Sequence, residues 1–523
     1  SGFDSSSSSC NSCRMVCSET ISPWPSNGSC EINMTRLSNQ VLSALPKDVL
    51  VPTYDRKAVT PGILHFGVGA FHRSHQALTI DSLLSQGLAQ DWGIVGVGLL
   101  ESDKRMSEAL KPQDCLYTLI TKHPDGKLNF QVIGSIIDYL FAPENPQLVL
   151  QKLIDPAIRI VSLTITEGGY SFDRVTGDFD PTTPGVKEDL AGATLPKSAF
   201  GFIVEGLKRR RDLGIAPFTV QSCDNIQGNG DVAKKMIVEF TKLKSPELAT
   251  WISGNVVFPN SMVDRITPVT APADIELATK KLGVEDIWPV PCEPFFQWVI
   301  EDHFPLGRPP FEKANVQMVE DVMPYELMKL RLLNASHQGL CYFGRLSGYT
   351  YVHEVMKDPL IVKLLRRYMD EEATPTLLPV PGVDLDEYKD QLIERFSNSQ
   401  VLDTVARLAA ESSDRIPKWL LPVVHQQLNA DGQVTLSAAI VASWARYDEA
   451  TDEQGNPIHV VDPLKDELIA IAKTQRQNSK AFIQNSKLFG DLAQNPRFTE
   501  PYLVTLNLLH SVGAQKTLEA ILN

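Results

Sequence analysis

The sequence predicts an α/β unit over residues 41–315 and a mainly α-helical unit over residues 316–523, preceded by a disordered tail over residues 1–40. Three observations predict this division. Between Lys47 and Phe311 short β-rich runs alternate with helical patterns. From Asp321 onward strand signals fade and apolar residues recur at helical spacing. The first 40 residues show neither pattern and carry a serine run, Ser5 to Ser9.

The elements follow in order. The predicted strands are Gly62–Phe66, Trp92–Val97, Ile158–Thr164, Phe218–Ser222 and Asn255–Phe258. Helical stretches fall between them, at His75–Gln86 and Phe200–Asp212. Strands that alternate with helices require crossover connections, and these yield a mostly parallel sheet covered on both faces. In the second unit helices are predicted at Tyr325–Leu346, Pro359–Glu371, Leu385–Phe396, Thr404–Ala410, Leu436–Tyr447 and from Glu500 onward. The Pro/Gly-rich loop Leu377–Gly382 separates two helices rather than two domains, and the boundary between the units falls near 311–321. No internal repeat is evident.

Composition narrows the function classes. Hydrophobic residues make up 43% and charged residues 21%, which is ordinary for a chain that buries a large core. No run approaches the roughly 18 apolar residues of a membrane span. The net charge is −14, so a phosphate backbone is repelled and a nucleic-acid partner is not expected. The basic run Lys208-Arg209-Arg210-Arg211 reads as a solvated helix face. Of eight cysteines, Cys10, Cys13, Cys17 and Cys30 crowd the tail, and the other four are scattered without a second Cys-x-x-Cys. A disulfide framework is not expected in a chain this long. The tail has no apolar signal core, so a cytoplasmic location is expected, with an organelle transit peptide as the alternative. No Cys/His cluster with catalytic zinc spacing occurs outside the tail, and no metal is expected.

Five polar segments carry candidate chemistry. The first predicted strand runs into Gly67-Val-Gly69-Ala-Phe71-His72-Arg73-Ser-His75, a Gly-x-Gly turn opening a helix. The first Gly permits a tight turn, and the second lets the backbone approach a pyrophosphate that the helix N-terminus stabilises. The usual third Gly is His72 here. The second strand ends in Glu101-Ser102-Asp103; an acidic group there accepts ribose hydroxyls and repels a 2′-phosphate. Asp103 lies 34 positions past Gly69, against roughly 20 in the usual fingerprint, so the first crossover is long; a helix N-cap is the alternative role.

The second segment is Lys329-Leu-Arg-Leu-Leu-Asn334-Ala-Ser-His337 in a helix that starts after Pro324. On an ideal helix Asn334 sits roughly 140° and His337 roughly 80° from Lys329, within one half of the surface. A partly buried lysine with a lowered pKa can act as a base, and asparagine amides can donate to an alkoxide. The bland alternative is a surface lysine with two satisfied core polars. The third segment, Ser222-Cys-Asp224-Asn225, follows a predicted strand, the position where ligands bind in open α/β sheets, or else forms a Gly/Asn turn. Asp264-Arg265 after Pro259 reads as a loop-holding ion pair or as substrate contacts, and Arg407 to Lys418 as a helix end with a solvated charge cluster.

Taken together, these segments and Thr164-Ile-Thr-Glu167-Gly-Gly-Tyr170 resemble the polyol-specific long-chain dehydrogenases, the mannitol 2-dehydrogenase family. The resemblance extends from about Pro46 to the C-terminus and rests on five ordered motifs. It implies a Rossmann-like N-terminal domain that binds NAD and a helical substrate domain. It implies oxidation of D-mannitol to D-fructose and the reverse reduction, without a metal. Lys329 would be the general base, Asn225 and Asn334 the pair that polarises the carbonyl, and His337 the residue that orients the substrate. Asp264, Arg407 and Arg415 would contact substrate hydroxyls, with Arg415 standing where the family often has Lys. Glu167 would serve proton exit. Gly67, Gly69 and Phe71 would hold the cofactor. Asp103 would favour NAD over NADP, although Ser102 replaces an acidic residue of some members. A monomer is implied. A related polyol such as arabinitol or sorbitol, a hexuronate or a polyol phosphate is the rival substrate, and a catalytically inactive dinucleotide sensor is the rival class.

Overall fold

The computed structural model describes residues 34–173 and 176–523. Most of the predicted tail, with Cys10, Cys13, Cys17 and Cys30, lies outside the described residues. The fold begins before residue 41. Leu37 is fully buried against Leu116, Ile120 and Leu282, and the Leu37 N–H donates to the Glu285 carbonyl at 2.8 Å.

Among the described residues eleven strands form three sheets. They are β1 (Pro61–Phe66), β2 (Gly93–Gly98), β3 (Tyr117–Lys122), β4 (Leu128–Ile133), β5 (Ile136–Phe141), β6 (Ile160–Leu163), β7 (Thr219–Ser222), β8 (Ser261–Asp264), β9 (Val290–Cys292), β10 (Gln297–Glu301) and β11 (Gln317–Val319). The central sheet has the order β5-β2-β1-β6-β7 with every pair parallel, the order of a dinucleotide-binding fold. Adjacent residues of a strand face opposite ways, and here both ways are apolar. Leu64, Val95 and Val161 pack with Phe200, Ile203 and Leu207 of the helix Ala199–Leu213. Their neighbours Ile63, Ile94 and Ile160 pack with Ile80, Leu83 and Leu84 of the helix Gln76–Ser85. The two flanking sheets, β4-β3-β9 and β11-β10-β8, mix parallel and antiparallel pairs.

Three expectations are corrected. The segment Asn255–Phe258 is not a strand: Asn255 ends the helix Pro246–Asn255, and Val257 makes one backbone bond to Val220 of β7. Pro259 follows and has no N–H to extend a ladder. The basic run is not a fully solvated face. Arg210 is buried and donates to the carbonyls of Leu153, Asp155, Ile158 and Ala216. β11 still pairs with β10, so the α/β unit reaches Val319 rather than 315.

The helical unit starts at Met323 and surrounds one core, with Trp444, Tyr342, Leu365 and Leu506 fully buried. Met262 of β8 and Val299 of β10 join that core, so the two units share apolar contacts. Among the described residues no helix is long and apolar enough to cross a membrane, and no group of three or more His, Cys, Asp or Glu is placed to hold a metal ion.

Candidate active site

The helix that carries Lys329 is not uniform. Met323–Met328 is α-helical, Lys329–Asn334 is π-helical and Ala335–Leu346 is α-helical again. The Ala335 N–H bonds the Leu330 carbonyl, five residues back, so one extra residue is wound into the turn. Each residue of an ideal helix advances roughly 100°, so the extra residue turns Asn334 to roughly 40° and His337 to roughly 20° from Lys329. The three side chains therefore share one face more closely than an unbroken helix allows.

Lys329 is 7% exposed. Its Nζ donates to Asn225 Oδ1 and to the Val263 carbonyl, both at 2.7 Å. Both acceptors are neutral. Burial lowers the lysine pKa from its usual value of 10.5, Asp264 raises it, Arg395 lowers it and Glu326 raises it. Asn334 and His337 are buried, and Asn334 Oδ1 and His337 Nε2 have no protein partner. Buried polar atoms are nearly always paired, so these two orphans are available to a ligand's polar groups. His337 stands 4.8 Å from the Phe396 ring, and burial, followed by the Arg407 charge, holds its pKa down at about 3. The imidazole is neutral and its tautomer is free to suit a hydroxyl.

Two clefts open at these groups. Asn225, Ser261, Glu326 and Lys329 line one of about 250 Å³. His337, His353, Arg395, Asn398 and Asp403 line another of the same size. Loops after β6 and β7 and the end of β8 bring Thr166, Asn225 and Asp264 to the carboxyl edge of the strands, where open sheets bind ligands.

The dinucleotide turn has the geometry its sequence requires. Gly67 takes φ +89°, and a Cβ there would stand 2.1 Å from the Thr164 carbonyl oxygen. Around Gly69 the space is open, with the Gly67 carbonyl oxygen nearest at 4.0 Å. Gly69 precedes the helix Ala70–Ser74, whose first turn has no side-chain cap, so its N–H groups suit a pyrophosphate. Phe71 is half-buried and stacks on His75 at 4.8 Å. Asp103 follows β2, and its Oδ2 accepts the N–H groups of Leu99 and Leu100 at 2.8 and 2.9 Å. It thus anchors the strand end. The long first crossover is the helix pair Ala70–Ser74 and Gln76–Ser85.

The remaining predicted residues sit as follows. Asp264 pairs with Arg395, not with its neighbour Arg265, which donates to the carbonyls of Ser74 and Glu293. Arg407 grips Asp403 through two bonds of 2.6 Å, and Arg415 donates to the Arg407 and Leu408 carbonyls at 3.0 Å. Both arginines act electrostatically on His337. Glu167 lies 3.7 Å from Lys418 of the helical unit. Besides Asp264, a second carboxylate acts on Lys329, Glu326, which the sequence reading missed. It precedes the lysine by three residues, accepts the Gly228 N–H at 2.9 Å and is pushed up to about 7 by burial. Asp224 was also missed as a support. Its carboxylate accepts the N–H groups of Ile165 and Thr166 and the Tyr170 hydroxyl, tying the Glu167 loop to the Asn225 loop.

Comparisons with known proteins agree with this fold. Residues 61–313 match the mannitol dehydrogenase Rossmann domain, and residues 321–509 match the mannitol dehydrogenase C-terminal domain. A mannitol 2-dehydrogenase of Aspergillus fumigatus is 43% identical over 94% of this chain and 99% of its own length. A mannitol dehydrogenase of Saccharomyces cerevisiae is 41% identical over 94% and 99%. The Pseudomonas fluorescens mannitol 2-dehydrogenase in a ternary complex with NAD and D-mannitol is 42% identical, with a TM-score of 0.85 over 93% of this chain and 99% of that one. A D-sorbitol dehydrogenase in substrate-free form is 38% identical, with a TM-score of 0.86 over 92% and 100%. With both of its domains matched and relatives aligned over nearly their whole length, this chain belongs to the mannitol dehydrogenase family.

Proposed function

We propose that the chain oxidises D-mannitol to D-fructose with NAD and runs the reverse reduction, with Lys329 as general base and acid. One observation carries the role of Lys329. Its Nζ has four tetrahedral positions; one holds the carbon stem and two point at Asn225 Oδ1 and the Val263 carbonyl. A neutral amine keeps both bonds as N–H donations and aims its lone pair along the fourth direction. That lone pair takes the C2 hydroxyl proton of the polyol. In the reverse direction the same position holds the proton that the ketose oxygen receives.

Gly67, Gly69 and the Ala70–Ser74 helix start would hold the pyrophosphate of NAD, with Asp103 at the ribose. When bound, NAD supplies the acceptor for the hydride leaving C2. The other side chains handle the substrate. Asn225 Oδ1 faces Lys329, so its amide Nδ2 is directed elsewhere and can donate to the developing alkoxide. Asn334 Oδ1 and His337 Nε2 lack protein partners and pair with substrate hydroxyls. Arg407 and Arg415, beyond His337, reach the far hydroxyls of an open-chain polyol. Glu326 and Glu167 are carboxylates through which the lysine proton can pass toward water. We propose a monomer, which light scattering tests.

The test is NADH oxidation with D-fructose at neutral pH, beside NADPH, other ketoses, hexuronates and ketose phosphates. Turnover of fructose with NADH, lost in Lys329→Ala, is expected. Turnover of hexuronates or phosphorylated sugars alone would overturn the substrate, and NADH binding without any turnover would overturn the activity.

A further inference from the structure

Behind Lys329 lies a buried charge cluster that the hydride step does not use. Arg395, on the helix Leu385–Phe396 of the helical unit, reaches into the α/β unit. Its Nη1 and Nη2 donate to the two oxygens of Asp264 at 2.9 and 3.0 Å. Its Nε and Nη2 donate to the two oxygens of Glu293 at 3.0 and 2.7 Å. The three side chains are only 6%, 6% and 1% exposed, and the Phe295 ring covers the guanidinium at 3.8 Å. One cation therefore serves two carboxylates, and the cluster carries a net charge of about −1 in a place where charges act strongly. Asp264 directly follows Val263, whose carbonyl receives Lys329 Nζ. Phe396 directly follows Arg395, and its ring lies 4.8 Å from that of His337.

We propose that Arg395 is a positioning residue for the reaction: it offsets the charge of Asp264 beside Lys329 and fixes Phe396 against the His337 ring. This rests on Lys329 being the base. The charged and titratable groups that act on Lys329 come from four elements. Asp264 is on β8, Arg395 is on the helix of the other unit, Glu326 is one turn earlier on the same helix, and His75 comes from the cofactor side. His75 is held neutral by burial, at about 3. Asp264 and Glu326 favour the ammonium form, whereas burial and Arg395 favour the free amine. Without Arg395, Asp264 faces Lys329 uncompensated and the lysine keeps its proton to higher pH. Without the Glu293 charge, Arg395 acts undivided and the lysine loses its proton at lower pH.

The experiment measures kcat/KM for D-mannitol oxidation against pH in the parent and in Arg395→Gln, Arg395→Lys and Glu293→Gln. The rising limb should move up by about one pH unit or more in Arg395→Gln, the size expected when one nearby compensating charge is removed. It should return to the parent position in Arg395→Lys and move down in Glu293→Gln. A support that acts only on the fold would lower the plateaus and leave the midpoints in place, and that result overturns the proposal. Should Arg395→Gln fail to fold, Glu293→Gln decides alone: a downward shift supports the proposal, and a fixed or upward midpoint overturns it. If the same limb persists in Lys329→Met, the base assignment falls instead, whatever the Arg395 variants do.

Discussion

Replacing Lys329 by Met separates chemistry from folding. The Met side chain has nearly the length of the lysine stem and no proton to exchange. Losing one general acid–base group costs ~10²–10⁴ in rate, or about 2.7–5.5 kcal/mol of barrier. The structural cost is smaller. Two hydrogen bonds of 2.7 Å disappear. Asn225 is exposed and its Oδ1 regains water, but the carbonyl of buried Val263 loses a donor, which costs about 1–3 kcal/mol. Against that, a cation no longer has to be buried, so the net change in stability stays within about 2 kcal/mol. Gly67, Gly69 and Asp103 lie on other elements, so NADH affinity should persist. The pH dependence carries the sign. Burial lowers the lysine pKa from 10.5, and oxidation needs the free amine, so oxidation rises with pH through a midpoint below 10.5. Reduction needs the ammonium form and falls as pH rises through the same value. In Lys329→Met both limbs should vanish. Steady-state rates across pH, a fluorescence titration with NADH and a melting curve read the three quantities. More than one-tenth of parental activity, or an unchanged rising limb, would refute the role of Lys329. Loss of NADH binding together with activity would refute the separation of the two sites.

Three further predictions concern the cofactor side and the start of the fold. Gly67→Ala places a Cβ against the Thr164 carbonyl at a φ of +89°, so NADH affinity should fall at least about tenfold, with about 1–3 kcal/mol of stability, by titration and melting. Asp103→Ala removes the carboxylate that disfavours a 2′-phosphate, so the NADPH-to-NADH ratio of kcat/KM should rise by about tenfold, roughly one removed charge repulsion; an unchanged ratio assigns Asp103 to the Leu99 and Leu100 amides alone. Leu37→Ala empties a fully buried site and should cost about 2–5 kcal/mol by denaturant unfolding, whereas an unchanged midpoint would show that this segment does not dock.

Legibility in the sequence followed the range of the interactions. Strands β1, β2 and β6 are mainly apolar runs and β7 is a short β-prone segment after Phe218, and their turn residues lie within a few positions, so the α/β reading and the Gly-x-Gly turn were readable. β5 was not, because Asp138 interrupts its apolar pattern and a hairpin of β3 and β4 stands before it. The segment before Pro259 has strand-like composition, yet it lacks a partner ladder and was misread. The helix boundaries at Leu385–Phe396 and Thr435–Tyr447 agree with expectation to within one residue; the first has one buried and one polar face, and the second is an unbroken run of helix formers buried all round.

The candidate site divides the same way. Lys329, Asn334 and His337 lie within nine residues of one another, so their shared helix and its chemistry were determined locally. Their alignment on one face was not, because a π turn depends on how the helix packs rather than on propensity. Arg395 and Asp264 are 131 residues apart, and no local pattern marks an arginine in an amphipathic helix as the partner of a strand-end aspartate. The sequence by itself determined which chemical groups this protein carries and the elements that hold them, because these depend on neighbours along the chain. Tertiary structure alone decided which charges face Lys329 and which polar atoms remain without partners, because burial and Coulomb interactions depend on distance in space.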